Sequence, residues 1–155
     1  MWRSGVALAR EISGQPLDGL RVIELGCGLA VPSLAAARAG ATVLATDGDE
    51  VALELAERNA RANGLEIETA QVEWDSPDAS LERAHFDLVL AADVLYERPS
   101  AAALLSLLPR LAPEAWIADP ARPAAEPFFE RAKRHWSIQT SARGVISIHR
   151  LRHRA

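Results

Sequence analysis

The chain has 155 residues, 49% hydrophobic and 25% charged, with a formal charge of −4. That composition is ordinary for a globular domain with a full core, and it excludes a disordered chain and a strongly basic nucleic-acid binder, so no nucleic-acid partner is expected. No stretch approaches the ~20 apolar residues of a membrane span, the start does not read as a secretory signal, and the lone Cys27 rules out an intrachain disulfide; a cytoplasmic protein with no membrane partner is expected.

In chain order, residues 2–12 read as a short helix stopped by Gly14 and Pro16. Residues 21–25 form an apolar strand that runs into Gly26-Cys27-Gly28. A helix over 31–39 closes at Gly40, which suits a left-handed cap. A strand over 41–46 ends at Asp47, a helix over 49–62 stops at Asn63-Gly64, and residues 66–72 alternate as a strand. After a loop, residues 86–92 form a continuous apolar run, as buried parallel strands do. A helix over 98–111, with Pro99 in its first turn, precedes a strand over 115–118. Pro123 opens a helix over 123–135, in which Phe128 and Phe129 are expected to pack. Strands over 136–141 and 145–151, turning at Gly144, end the pattern and must be antiparallel to each other. Alternating strands and helices predict an α/β, doubly wound, mostly parallel sheet. One domain over 1–155 is expected, with 1–14 as a covering helix and 136–151 as a terminal strand pair.

Two features carry chemistry. In Glu24-Leu25-Gly26-Cys27-Gly28-Leu29-Ala30 the glycines allow a ligand to approach the backbone at a strand-to-helix turn. Val31 breaks a dinucleotide fingerprint, and no Lys-Ser/Thr follows to make a phosphate loop. Glu24 would repel a pyrophosphate and suits a ligand with a positive charge. Asp47, 19 residues after Gly28, can accept both hydroxyls of a ribose. A nucleoside with a cationic, non-phosphate arm has these features, and S-adenosylmethionine is such a ligand. The alternative is a packing turn and a capping Asp. Cys27 reads as a small side chain filling the turn, with no sequence-near histidine to activate it as a nucleophile. His149 and His153 lie four apart in strand and tail, and no metal site is expected from them. Residues 131–155 hold seven Lys or Arg and no Asp or Glu, a basic edge that reads as a solvated terminal strand.

These residues resemble the class I, seven-strand S-adenosylmethionine-dependent methyltransferases: Glu24-x-Gly26-x-Gly28-x-Ala30 looks like their first motif, with Ala for the usual third Gly, and Asp47 like their acidic residue after strand 2. Asp93-Val94-Leu95-Tyr96 after the fourth strand is similar to the Asp-x-x-Tyr motif of the family-16 group, which includes many protein-lysine methyltransferases. Glu73-Trp74 and Trp2-Arg3-Ser4-Gly5 also resemble that group. The resemblance implies a Rossmann-like sheet of order 3-2-1-4-5-7-6 with strand 7 antiparallel. It implies S-adenosylmethionine as cofactor, held by Trp2, Glu24, Gly26, Gly28, Asp47, Trp74 and Ala92. Trp74 as plain core is the competing reading. The likeness further implies Asp93 and Tyr96 as catalytic residues toward a protein-lysine amine; a helix-capping pair is their alternative. Group members usually carry a longer segment before the Trp, which leaves the substrate class more open than the cofactor. A small-molecule N- or O-methyltransferase and a cofactor-binding but inactive interaction domain are the competing functions. Arg122, in Asp119-Pro120-Ala121-Arg122, is expected either to pair with an acidic residue or to guide substrate.

Overall fold

Strands β1 (Arg21–Leu25) and β4 (Leu88–Ala92) are short and buried along almost their whole length, so both faces must be covered. The computed structural model describes residues 3–154 and places these two strands side by side at the centre of a seven-stranded sheet. Outward on one side lie β2 (Thr42–Asp47) and β3 (Glu68–Gln71); on the other lie β5 (Glu114–Asp119), β7 (Ile146–His153) and the edge strand β6 (Trp136–Arg143). The order is β3-β2-β1-β4-β5-β7-β6, with β1 to β5 parallel and β7 antiparallel to both neighbours. This is the order and orientation that the methyltransferase resemblance implies.

The helices are α1 (Arg3–Ile12), α2 (Val31–Arg38), α3 (Glu50–Ala62), α4 (Ala79–Arg83), α5 (Arg98–Leu111) and α6 (Ala125–Ala132). Because side chains alternate along a strand, β4 sends Leu88 and Leu90 to one face and Val89 and Ala91 to the other. Leu88 and Leu90 pack with Leu8 and Ile12 of α1 and Ala36 of α2. Val89 and Ala91 pack with Leu104, Leu107, Leu108 and Leu111 of α5 and with Phe128 and Phe129 of α6. Those four leucines recur on one helical stripe and are at most 2% exposed, and burying each contributes roughly 1.5–3 kcal/mol. Among the described residues no helix is long and apolar enough to cross a membrane.

Several boundaries differ from the sequence reading. The loop before β4 contains α4, which Asp78 starts by accepting the Ser80 N–H at 2.7 Å. Phe86 and Asp87 precede β4 rather than belong to it, and β3 covers only residues 68–71. Pro123 does not open α6; the helix begins at Ala125, and the terminal strands run two residues further than expected at their C-terminal ends. The basic edge is partly neutralised: Glu11 on α1 pairs with Arg143 at 2.7 Å and Arg150 at 2.5 Å, and Glu114 with Arg152 at 3.4 Å. His149 stacks on Phe129 and His153 packs edge-on against Trp136, so both histidines are packing groups.

Candidate active site

A parallel sheet delivers its loops to one edge, and the strand order reverses between β1 and β4. A cavity of about 760 Å³ opens there, lined from the C-terminal ends of β1, β2, β3, β4 and β5. Backbone bonds carry the strand pairing beyond the strands and hold these loops in place. The Cys27 N–H donates to Thr46 O, the Val72 N–H to Asp47 O and the Asp93 N–H to Ala118 O, at 2.8 to 3.0 Å.

The glycine turn follows β1. Gly26 and Gly28 have φ of 68° and 50°, the left-handed region that glycine enters without strain. A side chain at Gly26 would meet Val94 Cγ1 at 3.1 Å and the Trp74 ring at 3.4 Å. Trp74 thus leans on the turn, lines the cavity and packs partly buried against the core. Cys27 is buried between the glycines, packed with Ala30, Ala45, Leu53 and Ala56, and burial pushes its thiol up. A protonated, packed thiol is a poor nucleophile.

Glu24 lines the cavity but is only 1% exposed. Its Oε2 accepts the Ser33 N–H at 2.9 Å and the Ser33 hydroxyl at 2.5 Å. Ser33 lies in the first turn of α2, where N–H groups have no helical partner, so a carboxylate from β1 closes the start of the helix. Burial, outweighing those bonds, pushes the Glu24 carboxyl up to about 8, with nearby Asp47 adding to the rise. Asp47 ends β2, half-buried. Its Oδ2 accepts the Gly28 N–H at 2.9 Å and its Oδ1 the Asp49 N–H at 3.0 Å. The acidic strand end and the glycine turn are therefore joined directly.

Val94 and Leu95 are core residues, and they anchor the turn after β4 so that Asp93 and Tyr96 face the cavity. Tyr96 is 56% exposed at its mouth. The capping alternative fails for Asp93, because α5 begins after Glu97 with no side-chain cap. Asp93 instead takes both Nε (2.7 Å) and a terminal nitrogen (2.9 Å) of Arg122 in a two-pronged ion pair. Arg122 thus has its acidic partner, and that partner is one of the proposed catalytic residues. Ala92, Gly48, Glu73, Asp75 and Ser100 also line the cavity. The last of these gives no signal in the sequence, since a lone serine in a helix is unremarkable. Trp2 lies outside the described residues; Gly5, from the same segment, reaches the cavity wall.

The surroundings fit a cationic nucleoside. Among the described residues, five acidic side chains, Glu24, Asp47, Glu73, Asp75 and Asp93, share the lining with a single cation, Arg122, and a flat ring flanks the glycine turn. The comparisons agree. The family model described as lysine methyltransferase matches residues 1–134. EEF1A lysine methyltransferase 3 of Mus musculus is 32% identical over 168 residues, 99% of this chain and 72% of that protein. A ubiquinone biosynthesis O-methyltransferase of Methylocella silvestris is 40% identical over 81 residues, 52% of this chain and 31% of that protein. Magnesium protoporphyrin IX methyltransferase from Synechocystis PCC 6803, solved with S-adenosylmethionine bound, superposes with a TM-score of 0.70 at 21% identity, covering 96% of this chain and 77% of that one. The fold and site define an S-adenosylmethionine-dependent methyltransferase. The chain belongs to the lysine methyltransferase family.

Proposed function

We propose that this enzyme methylates the side-chain amine of a protein lysine. The observation that carries the reading is the division of the cavity. Asp47 and the Gly26–Gly28 turn occupy the β1–β2 side, whereas Asp93 and Tyr96 occupy the β4 side. We assign the first group, with Glu24, Trp74 and Ala92, to S-adenosylmethionine, and Asp93 and Tyr96 to the acceptor. Trp2, outside the described residues, is assigned to the cofactor by its resemblance alone. When bound, the cofactor supplies an electrophilic methyl group on a sulfonium.

The chain's own residues supply alignment. A free lysine amine has a pKa near ~10.4, so few are neutral at pH 7. Burial of the amine in the cavity favours its neutral form. Asp93, with each oxygen holding one bond from Arg122, keeps lone pairs free to accept an amine N–H and aim the nitrogen. Tyr96 at the mouth walls the acceptor channel. A cytoplasmic setting accords with the unpaired Cys27.

The test is transfer of tritiated methyl from S-adenosylmethionine into cell-lysate protein. Label on a protein band, recovered as methyl-lysine, supports the reading. The O-methyltransferase match favours a second reading, a small-molecule acceptor, for which the label would appear in a low-mass metabolite. No label in either fraction would point to an inactive binding domain.

A further inference from the structure

We infer that Arg122 is a positioning residue for methyl transfer, acting through Asp93. The inference rests on the assignment of Asp93 to the acceptor and asks what holds that carboxylate in place. Asp93 has φ of 58°, the left-handed region that residues with a side chain enter uncommonly, Asp more readily than most. Its N–H is tied to Ala118 O on β5 at 2.8 Å. Its carboxylate is 8% exposed and gripped by the Arg122 guanidinium through two parallel bonds of 2.7 and 2.9 Å. A planar fork of this kind fixes the plane of a carboxylate, which a single ammonium cannot do.

Arg122 is itself aimed from β5. Asp119, at 2% exposure, ends that strand and accepts the Arg122 N–H through Oδ2 at 3.0 Å. Ala121 has φ of 63°, which turns the chain back over the sheet edge. Two left-handed residues and one buried carboxylate therefore bring a guanidinium from the end of β5 onto the end of β4. Among the described residues lining the cavity, Arg122 is the one cation. Its side chain is 37% exposed whereas that of Asp93 is 8% exposed, so the guanidinium reaches the carboxylate from the solvent side of the cavity. Without Arg122, Asp93 would be free to rotate and would hold the acceptor amine in unproductive poses.

The experiment measures tritiated methyl transfer into lysate protein alongside calorimetric binding of S-adenosylmethionine, for wild type, Arg122→Ala, Asp93→Asn and the double variant. Arg122→Ala should transfer about ten- to a hundredfold more slowly, the scale of a misplaced reacting group, with cofactor affinity unchanged. Millimolar guanidinium ion should restore part of the Arg122→Ala rate and none of the Asp93→Asn rate. The double variant should be no slower than Asp93→Asn, because both changes remove one device. A wild-type rate in Arg122→Ala beside a slow Asp93→Asn would overturn this inference and leave the role of Asp93 standing. Loss of cofactor binding in Arg122→Ala, or a slow rate that guanidinium does not raise, would also overturn it. A wild-type rate in Asp93→Asn, or no transfer by the wild-type protein, removes both readings. Should the alanine variant fail to fold, Arg122→Lys carries the same test. It keeps the charge and loses the fork, so a slower rate at unchanged affinity supports the inference and a wild-type rate overturns it.

Discussion

Glu24→Gln isolates a carboxylate that the fold keeps out of water. Glu24 is 1% exposed, and burial pushes its carboxyl up to about 8 from an ordinary value of 4.5. Between those values the folded chain retains a proton that the unfolded chain has released, so folding stability must fall as pH rises. The slope is ~1.4 kcal/mol per pH unit. His149 opposes it at lower pH: burial holds the imidazole down to about 4, which makes stability rise with pH until the unfolded histidine deprotonates near 6.5. The His149 rise fades above that value and the Glu24 slope eases toward its own titration point, so the wild-type protein should lose roughly 1 kcal/mol net between pH 6.5 and 8. Glutamine keeps an acceptor for the Ser33 bonds of 2.9 and 2.5 Å and cannot ionise, so the variant should lack that decline and gain on wild type as pH rises to 8. Urea unfolding followed by circular dichroism across this range reads the difference directly. Parallel slopes for the two proteins, or wild-type stability that rises from pH 6.5 to 8, would refute the reasoning. Calorimetry adds a second readout. A cationic cofactor favours the ionised carboxylate, so wild-type affinity for S-adenosylmethionine should rise over the same interval while that of the variant stays level.

Asp47→Ala should weaken S-adenosylmethionine binding by about 1.5–3 kcal/mol, the scale of lost hydrogen bonds to a charged group, as read by calorimetry; unchanged affinity would take Asp47 out of the site. Gly40→Ala should destabilise the chain by about 2 kcal/mol or more in thermal or urea unfolding, because Gly40 has φ of 93° and a methyl there would lie 2.6 Å from Asp18 Oδ1 and 3.0 Å from Asp18 Cα.

The strands most readable from sequence are those the sheet buries on both faces. β4 is a continuous apolar run and β1 carries Val22, Ile23 and Leu25 up to a glycine turn, and short runs of that kind with turn signals after them read as buried strands. Gly26 and Gly28 were legible for a related reason: both need positive φ, and glycine is the residue that supplies it freely. Helix α4 was not legible, since five residues are too few to display a period; only its Asp78 start signal was there to be read. The β3 run of alternating residues shortened because Leu65 to Ile67 connect α3 to the sheet without joining the ladder. The Asp93–Arg122 pair lies beyond any local pattern. The two residues are 29 apart and meet because β4 and β5 are adjacent and parallel and because Asp93 and Ala121 turn left-handed. Glu24 was recognisable as a carboxylate suited to a cationic ligand, while its burial and its bond to Ser33, nine residues on, depend on how α2 packs over β1.

The central claim is that one side of the cavity binds the cofactor and the other aligns the acceptor. Asp93→Asn tests it most directly, because the change keeps the shape of the side chain and removes its charge. Calorimetry with S-adenosylmethionine and methyl transfer into lysate protein are measured on the same preparation. The account predicts cofactor affinity equal to wild type and turnover lower by roughly 10²-fold, the loss associated with a group that positions a reactant or handles its proton. Wild-type turnover, or a collapse of cofactor affinity, would contradict it.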